Sequence, residues 1–230
     1  MSKLVIEASS DFGNRPSNQV SKESKATGII VDNHQKINYN HMKKFSLVLF
    51  IFLLSTFSLF SQSLQEINLT DAVTGKVVNI QSQIKGKGLV LVFHSLDCPF
   101  AKMYESRIIA LRSKYQSQGF TFILINPEVS GKEEDKTSLR SYIDQSGINT
   151  PYLVDENQTL SKYFKITKIP EVILLSPDEE ISYRGAIDNN AQAESAVSSR
   201  FLDKALDSIL KGEAPTPNQA RAVGCNVRTY

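Results

Sequence analysis

Two nearly continuous apolar runs of strand length, residues 89–94 (LVLVFH) and 120–126 (FTFILIN), bracket a segment of helical period. This arrangement constrains the fold more than any other feature of the chain. A strand solvated on one face alternates apolar and polar residues, whereas a run without alternation is buried on both faces. Between the runs, Tyr104, Ile108, Leu111 and Tyr115 recur at i, i+4, i+7 and i+11, one face of a helix. Pro99 suits the first helical position and Gly119 the stop. Two buried strands joined by a helix form a parallel βαβ unit.

The remaining segments extend this unit into an α/β fold with a mixed sheet flanked by helices. Residues 67–69 and 76–80 flank 70–75 (TDAVTG) and read as strand, glycine-containing turn and strand. Residues 137–146 read as a helix, 152–154 as a short strand and 159–164 as a short helix. Residues 171–176 (EVILLS) and 181–184 are strands around the turn pair Pro177-Asp178, which adds an antiparallel hairpin. Val197, Phe201, Ala205 and Ile209 repeat every four residues, predicting a helix over 195–210 stopped by Gly212. Pro215 and Pro217 then set an extended surface tail that reaches Cys225. The mixed charges of residues 132–136 (KEEDK) read as a solvated loop.

Residues 42–63 (MKKFSLVLFIFLLSTFSLFSQS) carry two lysines, an apolar run and then small residues, the order of a secretory signal peptide. Cleavage after Ser61 or Ser63 is the expectation, with a retained anchor as the alternative. The apolar run, residues 45–60, is short against the roughly 20 residues a spanning helix needs. No cysteine near the cleavage region offers a lipid attachment point. Translation is expected to start at Met42, with residues 1–41 a non-native or disordered extension. The organisation is then signal peptide 42–63, domain 64–212 and tail 213–230, with a periplasmic or secreted product. In that compartment a disulfide between the two cysteines, Cys98 and Cys225, is permitted.

Several function classes are excluded. A net charge of +2 offers no basic stripe for phosphates, so nucleic acid is not an expected partner. After the signal the chain has one histidine, His94, and two cysteines, too few for a four-ligand Cys/His zinc site. No Gly-x-Ser-x-Gly elbow and no Gly-x-Gly-x-x-Gly loop occurs, so neither a serine hydrolase nor a dinucleotide enzyme is indicated. No cofactor or metal is expected, and a membrane enters only through an uncleaved signal segment.

What remains is a thiol. Cys98, where a buried strand meets a helix and just before Pro99, falls at the helix N-cap. There, unpaired N–H groups and the positive end of the helix dipole favour thiolate. Lys102, one turn on, adds positive charge, and Asp97 opposes it. The alternative is a buried, inert core cysteine.

Asp97-Cys98-Pro99-Phe100-Ala101-Lys102 resembles the active-site turn of the thioredoxin superfamily, particularly its peroxiredoxin-like (redoxin) branch of alkyl hydroperoxide reductase and thiol-specific antioxidant type. Ile169-Pro170-Glu171 is similar to that superfamily's cis-proline loop, and the likeness runs on through 183–188 (YRGAID) to Gly224-Cys225-Asn226-Val227. It covers roughly residues 66–230 and implies a thioredoxin-like fold. It also implies that Cys98 is a nucleophile and that Ile169 and Pro170 dock substrate backbone, although a trans proline at a strand start is the alternative for Pro170. The departures are specific. Ala101 stands where thioredoxins carry a second cysteine, and Lys102 where copper-delivery relatives carry one. Leu91 replaces the proline seven residues before a peroxidatic cysteine, whereas Ser95 matches the Thr or Ser that orients peroxide.

The implied function is extracytoplasmic thiol oxidoreduction, by disulfide exchange or peroxide reduction. The implied partners are protein thiols or disulfides, or small peroxides, and an external thiol reductant. Cys225 is either a resolving thiol or half of a permanent structural disulfide. In the second case the chain would be a non-catalytic binding module. Arg184 either balances charge at the site or caps the hairpin.

Overall fold

The computed structural model describes residues 63–129 and 132–228. The expected extension 1–41 and the signal segment, apart from Ser63, lie outside the described residues.

A short 3-10 turn, Leu64–Glu66, leads into β1 (Asn68–Asp71), which folds back as β2 (Val77–Asn79). The turn between them starts later than expected because Asp71 belongs to the strand and shapes the turn from there. Its Oδ1 accepts the amides of Val73 and Thr74 and the Thr74 hydroxyl at 3.2, 2.7 and 2.7 Å. The βαβ unit comes next as β3 (Gly88–Phe93), α1 (Pro99–Tyr115) and β4 (Phe120–Asn126). Then come α2 (Glu133–Ser146), β5 (Tyr152–Val154), α3 (Thr159–Tyr163), β6 (Lys168–Ile169), β7 (Glu171–Leu175) and β8 (Ile181–Gly185). The chain ends through α4 (Phe201–Leu210), β9 (Gln219–Ala220) and β10 (Cys225–Asn226).

The main sheet has the order β2-β1-β5-β4-β3-β7-β8-β9, and β10 pairs with β6 in a separate ribbon. β3, β4 and β5 run parallel, while β7 is antiparallel to both β3 and β8. Side chains alternate across a strand, so each central strand feeds two cores. Val90, Val92, Phe122, Leu124, Val172 and Leu174 meet Tyr104 and Ile108 of α1, Leu139 of α2 and Leu206 of α4 on one face. Leu89, Leu91, Ile123, Ile125, Ile173 and Leu175 meet Leu160 and Phe164 on the other. Burial on both faces is the reason these strands carry no polar alternation.

Three expectations are corrected. The mixed-charge stretch is not wholly a loop, because α2 begins at Glu133. Lys136 there pairs with Glu156 at 2.6 Å. The last helix begins at Phe201, not 195. The Asn189 side chain accepts the amides of Ser198 and Ser199, both at 3.1 Å, and the Asn189 backbone amide donates to the Ser199 carbonyl at 3.1 Å. Those bonds compete with helical ones, and α4 buries Leu202, Ala205 and Leu206. The tail does more than run over the surface, since β9 extends the sheet edge parallel to β8. Gly185, with φ 128°, permits this, because a Cβ there would lie 1.6 Å from the Ala220 carbonyl oxygen.

A buried ion pair ties α1 to the loop after β8. Arg107 contacts Asp188 at 2.6 Å and donates to the carbonyls of Asn190 and Ala191 at 2.7 and 2.6 Å. The Tyr104 hydroxyl also donates to Asp188, at 2.9 Å, and burial together with that carboxylate pushes its phenol well above the ordinary value. Asp188→Ala leaves a buried guanidinium without its counter-charge. The expected loss is about 3–5 kcal/mol, read from the urea midpoint. A loss under about 1 kcal/mol would mean that Arg107 reaches solvent instead.

Candidate active site

The parallel strands β3 and β4 release their chains at the same end of the sheet. This brings the turn 94–98 beside the loop that holds Glu128. Cys98 is the N-cap of α1, with φ −97° and ψ 112°, and its side chain makes no capping bond. Pro99 begins a helix of 17 residues, so Cys98 stands at the positive end of the helix dipole. Cys98 is 1% exposed and is bonded to Cys225, 127 residues away, with Cα atoms 5.9 Å apart.

The Ile169–Pro170 bond is cis, which overturns the trans alternative. The Ile169 carbonyl oxygen lies 3.3 Å from the Cys98 sulfur. β10 runs antiparallel to β6, with Cys225 opposite Ile169 and Asn226 opposite Lys168. The Val227 amide continues the pairing by donating to the Thr167 carbonyl at 3.1 Å. At Gly224 any Cβ would meet the Ile169 carbonyl oxygen at 1.9 Å, so only glycine allows this approach. Around the disulfide, Cys98, Ala101 and Ile169 form an apolar cluster with Phe100, Cys225 and Val227.

The structure thus brings together Cys98, Cys225, Ile169 and Pro170. Ser95 and Lys102 are engaged elsewhere. The Ser95 hydroxyl donates to Glu128 at 2.6 Å. The Lys102 ammonium sits 5.1 Å from the centre of the Tyr142 ring. Asp97 pairs with Arg228 at 2.6 Å, both side chains being largely exposed. Arg184 donates to Glu171 at 2.8 Å and to the Lys165 carbonyl at 3.1 Å, so it braces the residue after the cis-proline.

Sequence reasoning missed Glu128 and Arg228. A signal was present for Glu128, two residues beyond a buried parallel strand, where loops at carboxyl ends converge. It also missed a polar cluster under the start of α1. Buried His94 has its Nδ1 2.5 Å from the Tyr152 hydroxyl and its Nε2 3.1 Å from Glu105, which also accepts from the Tyr142 hydroxyl. Partial burial pushes the Glu105 carboxyl up. The hydrogen bonds from His94 and Tyr142, with the Lys102 charge, more than offset this and hold it below its ordinary 4.5. A carboxyl depressed in the folded state adds stability above its unfolded value, and this is lost as pH falls through the folded one. Glu105→Gln is therefore expected to destabilise at neutral pH, with a difference that shrinks below about pH 4 in urea titrations. A difference independent of pH would assign Glu105 a packing role only. Among the described residues, no group of three or more His, Cys, Asp or Glu could hold a metal ion.

Comparison with known proteins places this geometry. An uncharacterized conserved protein from Geobacillus kaustophilus superimposes with a TM-score of 0.66 at 24% identity, over 71% of this chain and 88% of that one. A hypothetical protein from Sinorhizobium meliloti gives 0.62 at 24% identity, over 70% and 88%. These likenesses show the fold, which the βαβ unit, the β7–β8 hairpin and the cis-proline make thioredoxin-like. The thiol-disulfide oxidoreductase ResA of Halalkalibacterium halodurans is 24% identical over 99 residues, 43% of this chain and 53% of that protein. The chain thus spans about half the length of this curated relative. Residues 56–184, more than half of the chain, match the family model itself. That stretch contains Cys98 and the cis-proline and stops short of the tail with Cys225, and on it the chain belongs to the AhpC/TSA family.

Proposed function

We propose that this protein is an exported thiol–disulfide oxidoreductase that uses Cys98 as nucleophile and Cys225 as resolving thiol. The observation that carries the reading is the Cys98–Cys225 bond at the N-terminus of α1, against the cis Ile169–Pro170 peptide. The reduced Cys98 thiolate attacks one sulfur of a partner disulfide and expels the other as a thiolate. Cys225 then attacks Cys98, releases the partner's first sulfur as a thiol and re-forms the internal disulfide. Two electrons pass from this dithiol to the partner, and an external thiol restores the dithiol. The name of the relative ResA agrees with this chemistry. Exchange is favoured over peroxide reduction because the Ser95 hydroxyl, the group that would orient peroxide, is committed to Glu128. Export is supported by the signal-like order of residues 42–63 and by the use of both domain cysteines in a disulfide.

The test is the reduction potential of the Cys98–Cys225 couple, measured by equilibration against thiol buffers. A working couple is expected above about −300 mV, within reach of a biological dithiol. A value well below that would make the bond structural and the protein a binding module.

A further inference from the structure

We infer that the tail 224–228 is a resident surrogate for substrate. Its own chemistry then names the partner: an extended polypeptide whose disulfide-bonded cysteine follows a small residue, with an aliphatic residue two positions on and a basic residue three positions on. This rests on the exchange reading above and specifies whom that site serves.

Access to the sulfur is the first constraint. Cys98 is 1% exposed, and the apolar cluster and the Ile169 carbonyl close in on its sulfur. In the exchange the Cys98 sulfur, the partner sulfur that it attacks and the leaving sulfur lie in line, and the approach to the Cys98 sulfur that the structure shows is the one Cys225 takes. A partner's sulfur must therefore sit where Cys225 now sits, and the backbone around it must lie where β10 lies. That path has fixed features. β6 pairs with β10 and with no other strand among the described residues, so its edge is open to a new strand once the tail leaves. The Ile169 carbonyl would lie 1.9 Å from a Cβ at position 224, which excludes a bulky residue just before the cysteine. Val227 fills an apolar seat against Cys98, Ala101 and Ile169.

The far end of the path is acidic. Glu128, its side chain only 4% exposed, receives the Arg228 amide at 3.1 Å and the guanidinium Nε and Nη2, both at 3.3 Å. Asp97 takes Nη2 at 2.6 Å. A largely buried carboxylate that accepts three N–H groups from one residue favours a cation there and disfavours an anion. Two further tail bonds are of less selective kind, Lys168 to Asn226 at 2.6 Å and Gln158 to the Arg228 carbonyl at 2.5 Å.

The probe is a peptide copying residues 223–229 (VGCNVRT), its cysteine disulfide-bonded to nitrothiobenzoate. The reduced full-length protein attacks the peptide sulfur through Cys98, which releases coloured nitrothiobenzoate and leaves a Cys98–peptide disulfide. Cys225 then frees the peptide as a thiol, and the internal disulfide returns. Replacing the peptide's arginine by glutamate, its second valine by aspartate, or its glycine by valine is expected to lower the second-order rate about tenfold or more. In protein carrying Asp97→Asn and Glu128→Gln, the arginine-to-glutamate ratio is expected to collapse towards one. Rates within about twofold across all four peptides would overturn the inference while leaving exchange intact. So would reaction with the small nitrothiobenzoate disulfide but with no peptide. Failure to react even with that small disulfide would overturn the exchange reading and this one with it.

Discussion

Cys98→Ser is expected to reduce disulfide exchange to the uncatalysed background, a loss on the order of a thousandfold or more, and Cys225→Ser is expected to stop the reaction halfway. The first substitution removes the sulfur to which the proposed mechanism assigns the attack. The second leaves that attack intact but removes the thiol that would expel the partner, so a Cys98–partner disulfide accumulates and is read by intact mass. The asymmetry follows from position. Cys98 caps a helix of 17 residues, whereas Cys225 lies on a two-residue strand of the tail. A helix N-terminus lowers a thiol's pKa from about 8.5. In reduced protein near neutral pH, Cys98 is therefore expected to alkylate faster than Cys225. Equal trapping by both single variants, or faster alkylation of Cys225, would reverse the assigned roles.

Opening the disulfide is expected to cost about 5 kcal/mol of stability in the chain-entropy model, because it closes a loop with a sequence separation of 127. For a domain of this size that corresponds to a fall of roughly 10–20 °C in Tm. Calorimetry with and without reductant, and on Cys225→Ala, measures it. The tail's other attachments include the two-residue strands β9 and β10, the exposed Asp97–Arg228 pair and the three bonds from Arg228 to the largely buried Glu128. Exposed ion pairs contribute about 0–1 kcal/mol. A fall below about 1 kcal/mol would mean that residual structure in the reduced, unfolded chain offsets the loop-closure term. A large fall would show that closing the loop constrains the unfolded chain as that model requires.

The central elements were legible in the residues because their signals are local. The run 120–126 has no polar alternation, and β4 is Phe120–Asn126, buried along nearly its whole length. Pro99 begins α1 after a non-helical Cys98, and left-handed Gly119 ends the turn after the helix. Both boundaries rest on backbone preferences carried by single residues. The start of α4 was not legible, since the Asn189 side chain that holds residues 198–199 out of the helix comes from another segment. β9 and β10 were not legible either, because a two-residue strand has no period to detect.

The site divides along the same line. Sequence alone determined where a thiol would meet a helix N-terminus, because strand, cysteine and proline are consecutive. Only the tertiary structure decided that Cys225 crosses 127 residues to reach it. It also decided that the bond before Pro170 is cis and that Ser95 serves Glu128. Glu128 and Asp97 likewise meet Arg228 only in the folded chain. Local preference depends on a residue and its neighbours within a turn or two, so it can be read along the chain. Whether two distant sulfurs or charges meet depends on sheet register and on how the tail packs against β6, and these are set by the burial of the whole core at once.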